Sequence, residues 1–131
     1  MSTPQRLFST VLAAAVLGIA VTGCTSFHSE ERSFKRELAL GRADVQAETY
    51  KRCLREKARN VADTHRPALQ NPEAIVVLRE QAMTECQFHL AALEKDLTDS
   101  DMFSSSFVRK RVDDARQAGH KQFIVEAFRS F

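Results

Sequence analysis

The chain has 131 residues, of which 27% are charged and 8% aromatic, and its formal net charge is +2 at pH 7. This near-neutral balance does not indicate nucleic acid as a partner, because phosphate recognition calls for a clear excess of lysine and arginine. The length allows one small domain, whose apolar core is marginal on its own and gains from a covalent cross-link.

The first segment combines one basic residue, Arg6, with an uncharged stretch over residues 7–23. This stretch is too short and too rich in alanine and glycine to predict a membrane span, which needs about 20 strongly apolar residues. A basic start, an apolar middle and small residues at the end are typical of a secretory signal peptide. We therefore expect residues 1–23 to be an export signal, cut between Gly23 and Cys24.

The end of this segment, Val21-Thr22-Gly23-Cys24, resembles the lipobox of bacterial lipoprotein precursors. The resemblance implies that the Cys24 thiol receives a diacylglyceryl group and that the new amine after cleavage is acylated, for example with palmitate. Several acyl chains anchor a protein stably, so the implied partner of Cys24 is a lipid bilayer. Thr25 in place of aspartate implies the outer membrane, facing the periplasm. The alternatives are an uncleaved anchor or an ordinary signal peptide.

After a short tether over residues 24–29, apolar residues recur every three or four positions, a period typical of α-helices. The predicted helices cover residues 30–64, 73–97 and 104–129. Ser29 is expected to cap the first helix, and Asn71 followed by Pro72 to begin the second. The sequence therefore predicts an all-α fold for residues 30–131, most simply a small bundle of about three helices.

Cys53 and Cys86 are the two cysteines left once Cys24 is assigned to lipid. The midpoint between them in sequence falls inside the proline-bounded loop over residues 65–72, so an antiparallel hairpin places them at the same height. Thiols of exported proteins mature in an oxidising compartment and tend to pair. We therefore predict a Cys53–Cys86 disulfide that pins the hairpin.

A metal site is the alternative use of these cysteines. Cys86 and His89 are three residues apart on one helix, and Cys53 would be a third ligand. His65 is too far along the helix from Cys53 to complete a zinc site easily. We therefore expect no metal ligands and no cofactor.

Residues 51–59 are locally basic, with five lysines and arginines against Glu56 alone. The simpler interpretation is a solvated helix face. The alternative is a patch for anionic envelope material or for an acidic partner.

The sequence contains no glycine-rich phosphate loop, no nucleophile elbow and no His-Glu-x-x-His motif. The adjacent carboxylates at 30–31 and 113–114 point about 100° apart on a helix, so neither pair makes an acid–base dyad. We therefore expect no catalytic residues and no enzyme.

Ile124, Phe128 and Phe131 share one face of the last helix, apart from its core-facing stripe. A helix that is apolar on two faces either is buried more fully or presents one face to a partner. These three residues are the predicted partner surface, and self-packing of the chain end is the alternative.

Taken together, these patterns predict a non-enzymatic cell-envelope lipoprotein whose tethered helical domain binds another envelope protein. One alternative is an accessory lipoprotein of a secretion or conjugation machine, similar to pilotins or entry-exclusion lipoproteins. Another is a periplasmic module that binds a small ligand or a metal.

Overall fold

The computed structural model describes the backbone of residues 12–129 and the side chains of residues 27–129. In this part of the chain, four α-helices and one 3₁₀ helix account for the secondary structure, and there is no strand. The α-helices are α1 (Leu12–Thr64), α2 (Pro72–Cys86), α3 (Phe88–Asp99) and α4 (Ser105–Ala127), and the 3₁₀ helix is Arg66–Gln70. The prediction of an all-α fold is confirmed.

The chain divides into two units, Met1–Glu37 and Leu38–Phe131. In the N-terminal unit, every described side chain, from residue 27 to residue 37, is exposed. The C-terminal unit contains the apolar core, to which all four helices contribute. The large side chains that are almost fully buried there are Tyr50, Leu54, Cys86, Leu93, Leu97 and Phe123.

The first helix begins at Leu12 and not at residue 30 as predicted. Residues 24–29, predicted as a tether, lie within α1, and Ser29 is an interior residue of the helix and not its N-cap. Residues 24–40 contain neither glycine nor proline, so no residue in this stretch interrupts the helical hydrogen bonds. The boundary prediction was wrong because it placed the helix start at the first charged residues.

The helix predicted over residues 73–97 consists of two helices, α2 and α3, which meet at Gln87. The Gln87 carbonyl accepts hydrogen bonds from the backbone N–H of both Leu90, at 2.9 Å, and Ala91, at 3.1 Å. A bond across three residues tightens the helix locally and interrupts the α-helical pattern. The interruption follows directly after Cys86, which is bonded to α1. The bundle therefore has four α-helices in its described part, and the prediction of about three was one short.

Side-chain caps mark two of the helix starts. The Asn71 side chain accepts a hydrogen bond from the backbone N–H of Glu73 at 3.0 Å, which confirms the predicted start of α2. Ser104 caps α4 in the same way, accepting from the backbone N–H of Phe107 at 3.3 Å. Asp101, in the turn between α3 and α4, has a positive φ of 53°, a conformation that aspartate tolerates better than most residues.

The predicted disulfide is present between Cys53 of α1 and Cys86 at the end of α2. The two Cα atoms are 6.0 Å apart, within the range that a disulfide spans without moving the backbone. The bond closes the hairpin formed by α1, the 3₁₀ helix and α2. It also occupies both thiols, so neither cysteine is available as a metal ligand.

Gly119 allows α4 to approach α1 closely. A Cβ atom at this position would overlap Cε1 of Tyr50 and lie 2.6 Å from Cδ1 of Leu54, well inside contact distance. At Gly41, a helical glycine of α1, no atom lies within 4 Å of the same position. The absence of a side chain at Gly119 is therefore a packing requirement, whereas at Gly41 it is not.

Reduction of the Cys53–Cys86 bond should lower the free energy of unfolding by roughly 3–4 kcal/mol, because the sequence separation of 33 residues corresponds to a substantial loss of unfolded-state entropy. Urea unfolding of the full chain with and without reductant measures the effect. The variant Cys53→Ala/Cys86→Ala is the control and should not respond to reductant. An unchanged unfolding midpoint of the parent chain would contradict the stabilising role.

Gly119→Ala should destabilise the fold by about 1–3 kcal/mol, because the added methyl overlaps the Tyr50 ring and Leu54. Gly41→Ala is the matched control, since it adds the same methyl to an exposed helix position. It should be neutral or stabilise by up to about 1 kcal/mol through helix propensity. Thermal unfolding followed by circular dichroism compares the two, and equal shifts in Tm would refute the close approach.

Candidate functional site

Two adjoining depressions in the C-terminal unit form one open groove beside α3 and α4. Their volumes are about 620 Å³ and about 510 Å³. Both are lined by Glu94 of α3 and by Val112 and Arg116 of α4, which makes them continuous. We call this feature the α3–α4 groove. It lies in the size range of protein sites that bind a ligand or a short chain segment.

The floor of the α3–α4 groove is apolar. Tyr50, Leu90, Val108 and Val112 line it and are each buried in the core. Phe103 lines the end near the α3–α4 turn and stacks on Phe107, with ring centroids 4.8 Å apart. A ligand above this floor would cover the half-buried Met83 and Phe103 and the exposed Phe88, which also line the groove.

The rim of the α3–α4 groove carries more negative than positive charge. Its acidic residues are Glu80, Glu94, Asp101 and Asp113, and its basic residues are Arg109 and Arg116. Arg116 and Asp113 neutralise each other, because Nη1 of Arg116 lies 2.6 Å from Oδ1 of Asp113. Glu80 is paired with Arg79 at 3.0 Å, so Glu94 and Asp101 face Arg109 as the remaining charges of the rim. The groove therefore favours a ligand that combines apolar groups with positive charge.

Tyr50 connects the groove to the core. Its side chain is 1% exposed, and burial raises the pKa of its hydroxyl above the ordinary value. Arg116 lowers that pKa and Glu80 raises it, which places both charged side chains within electrostatic reach of the ring. The hydroxyl is thus protonated at neutral pH. The groove lining includes no histidine and no cysteine among the described residues.

The basic stretch over residues 51–59 is largely neutralised by carboxylates. Lys51 pairs with Glu48 one turn earlier, and Lys57 pairs with Glu85 of α2. Arg59 pairs with Glu126 of α4. This pairing favours the interpretation of a structural and solvated face over that of a binding patch. The sequence did not predict that Lys57 pairs with Glu85 of α2, because the charges of one helix do not indicate which helix packs beside it.

Glu126 of α4 is a buried carboxylate that the sequence analysis did not single out. It is 6% exposed, and Oε1 accepts a hydrogen bond from Nε of Arg59 at 2.7 Å. The Arg129 guanidinium lies 3.5 Å from Oε2, and Arg55 is within electrostatic reach. The hydrogen bond from Arg59 holds the Glu126 pKa below its ordinary value against the opposing effect of burial. Glu126 therefore stays charged and joins α4 to α1.

The predicted partner surface at the chain end is only partly described. Ile124 is half-buried and packs against the core, whereas Phe128 is 39% exposed. Phe131 lies outside the described residues. The structure thus assigns Ile124 to the edge of the core, and the partner role of this face stays a prediction.

The side chains of the lipobox, residues 21–24, lie outside the described side chains, so lipidation of Cys24 and cleavage after Gly23 also stay predictions. Within the described residues, no helix carries an apolar stretch long enough to cross a membrane. The same part of the chain contains no group of three or more histidine, cysteine, aspartate or glutamate residues arranged to hold a metal ion.

No family model, no curated protein and no solved structure matches this chain.

The fold should lose stability at acid pH in a way that depends on Glu126. Because its pKa is lowered in the folded state, its contribution is present above the ordinary value of 4.5 and is lost as the pH falls through the lowered pKa. Glu126→Gln should cost about 1–2 kcal/mol at pH 7, where a charged hydrogen bond is replaced by a neutral one.

Urea unfolding of both chains between pH 7 and pH 3 tests this. The difference between parent and variant should shrink toward low pH. Glu56→Gln, on the exposed side of α1, is the control and should leave the acid dependence unchanged. A Glu126→Gln chain with the same pH profile as the parent would show that this carboxylate does not contribute.

Proposed function

We propose that this protein is a non-enzymatic lipoprotein of the cell envelope, anchored through Cys24, whose helical unit binds a segment of another envelope protein. The observation that carries the proposal is the Cys53–Cys86 disulfide. Structural disulfides persist in oxidising compartments, which exported proteins reach. The lipobox at residues 21–24 accounts for that export, so the two features support each other.

Cleavage before Cys24 would make the acylated cysteine the first residue of the mature chain. Residues 24–37 would then be the spacer between the lipid and the C-terminal unit, with a helical length of about 20 Å. Their described side chains are exposed and mostly polar or charged. With two or three acyl chains as the anchor, no apolar span is needed to hold the mature protein at the bilayer. Thr25 favours the outer membrane, facing the periplasm.

The α3–α4 groove is the surface that we assign to the envelope partner. An apolar floor with an acidic rim suits an amphipathic helix or an extended segment that carries lysine or arginine. Phe88, at the start of α3, lines the groove and is 59% exposed. An exposed aromatic ring beside a groove is a typical anchor of a protein interface. Phe128 and the end of α4 are a second, smaller surface for the same partner.

Two alternatives are related to this proposal. An accessory lipoprotein of a secretion or conjugation machine, pilotin-like or entry-exclusion-like, would use the same groove for one subunit of that machine. A periplasmic ligand-binding module is favoured by the groove volume of about 620 Å³ alone. We favour a protein partner because the groove is open along its length. The metal site considered in the sequence, with Cys53, Cys86 and His89, would need thiolates that the disulfide has consumed.

Labelling and crosslinking in intact bacterial cells test both halves of the proposal. With a fatty-acid probe, the parent chain should be labelled, whereas Cys24→Ser should lose the label and keep its signal peptide, which gives a larger band on a gel.

A photocrosslinking amino acid at Phe88 should yield a protein adduct. The same group at Gln117, exposed on α4 and outside the groove, should not.

Reversal of the rim charge sharpens the test. Glu94→Lys should reduce the Phe88 adduct several-fold, since it replaces an acidic rim group that attracts a basic partner. Glu56→Lys is the control and should leave the adduct unchanged. Label that persists in Cys24→Ser would refute the anchor. Equal adducts from positions 88 and 117, or adducts from neither, would refute the groove.

A further inference from the structure

A cavity of about 250 Å³ lies between α1 and α2, in the part of the hairpin between the disulfide and the proline-bounded loop. All of its lining residues belong to the C-terminal unit, and none of them lines the α3–α4 groove. We call this cavity the α1–α2 pocket. The Cys53–Cys86 bond joins its two walls near one end. Its volume is below that of pockets for drug-sized molecules, so it suits one small molecule.

The lining of the α1–α2 pocket combines an apolar surface with a polar edge. Its apolar residues are Val61 and Leu78, both half-buried, and Ala82, which is buried. These side chains offer van der Waals contact to the C–H groups of a ligand. The polar lining residues are Lys57, Asn60, Thr64, His65, Gln81 and Glu85.

The two opposite charges in this lining are paired with each other. The Lys57 ammonium of α1 forms an ion pair with the Glu85 carboxylate of α2. Nε2 of Gln81 donates a second hydrogen bond to Oε1 of Glu85 at 3.2 Å. An anion or a cation in the pocket would have to compete with this pair. The lining therefore favours a ligand without formal charge.

Hydrogen bonds at the end of α1 determine which nitrogen of His65 carries a proton. The Thr64 hydroxyl has a single proton, which it donates to the carbonyl oxygen of Asn60 at 2.6 Å. The same hydroxyl oxygen lies 2.6 Å from Nδ1 of His65, so it accepts a hydrogen bond from that nitrogen. In the neutral imidazole, Nε2 is then the acceptor. The backbone N–H of His65 donates to the Val61 carbonyl at 2.8 Å, which holds the residue in place.

Three polar groups of the lining keep hydrogen-bonding capacity toward a ligand. Within the described residues, no hydrogen bond is made by the Asn60 side-chain amide, by Oε1 of Gln81 or by Nε2 of His65. Together they present acceptors and a donor. A hydroxyl group donates and accepts through one atom, so it can bond to all three, whereas a carboxylate only accepts and an ammonium only donates.

From this lining we propose that the α1–α2 pocket binds a neutral, hydroxyl-bearing ring of the size of one sugar residue. The C–H face of the ring lies on the apolar residues, and its hydroxyl groups bond to Asn60, Gln81 and His65. The proposal depends neither on the lipid anchor nor on the α3–α4 groove. Each hydroxyl exchanges a bond to water for a bond to protein, so the affinity is low, in the millimolar range.

An NMR titration of the full chain in detergent micelles tests the pocket. The probes are glucose and N-acetylglucosamine, and inorganic phosphate and glycine are the ionic comparators. With at least one of the two sugars, the side-chain amide signals of Asn60 and Gln81 should shift and saturate. The amide signal of Gln117, which is exposed on α4 and does not line the pocket, should not move. Phosphate and glycine should leave all three signals unchanged.

Two variants examine the hydrogen bonds separately. Gln81→Leu should weaken sugar binding about fivefold, because a ligand hydroxyl loses its partner. Gln117→Leu is the matched control and should change the affinity by less than about twofold. His65→Phe keeps an aromatic ring but removes the Nε2 acceptor, and it should weaken binding to a similar extent. Circular dichroism of each variant verifies that it is folded.

Other outcomes overturn the proposal. These are the absence of saturable shifts with both sugars, equal losses of affinity in Gln81→Leu and Gln117→Leu, and shifts that only phosphate or glycine produces. The variants leave Cys24 and Phe88 unchanged. The lipid label and the Phe88 adduct therefore succeed or fail independently of the α1–α2 pocket.

Discussion

The bond between Cys53 and Cys86 is the constraint on which the C-terminal unit depends. It joins α1 to the last residue of α2, and the chain changes helix immediately afterwards, at Gln87. α3 begins at Phe88, one residue beyond that junction, and its packing with α4 defines one wall of the α3–α4 groove. The disulfide thus lowers the conformational entropy of the unfolded state. It also fixes the position of the groove relative to α1.

Close packing between α1 and α4 is the second requirement. Tyr50 and Leu54 occupy the space that a side chain at Gly119 would take, and farther along the same pair of helices Arg59 bonds to the buried Glu126. A buried carboxylate is costly unless it is paired, and here one direct hydrogen bond and two nearby guanidiniums compensate for the loss of water. Charge inside this unit is therefore used to join helices.

The α3–α4 groove is the surface of the described residues to which we assign a protein partner. It has an apolar floor and an acidic rim, which suits a basic amphipathic segment of another protein. The proposal of an envelope lipoprotein rests on the disulfide together with the lipobox. The groove concerns what such a protein would bind.

Patterns in the sequence were sufficient for the fold class, the cap at Asn71 and the disulfide, because all three depend on local patterns or on symmetry about a proline-bounded loop. The export and lipid predictions came from the uncharged segment over residues 7–23 and from the lipobox, and no tertiary contact bears upon them. The tertiary structure decided the division of α2 from α3 at Gln87, since no glycine or proline marks that position. It also decided the pairing of Arg59 with Glu126 and the need for glycine at position 119. These depend on which helices pack together, and residues 67 positions apart carry no local signal that they will meet.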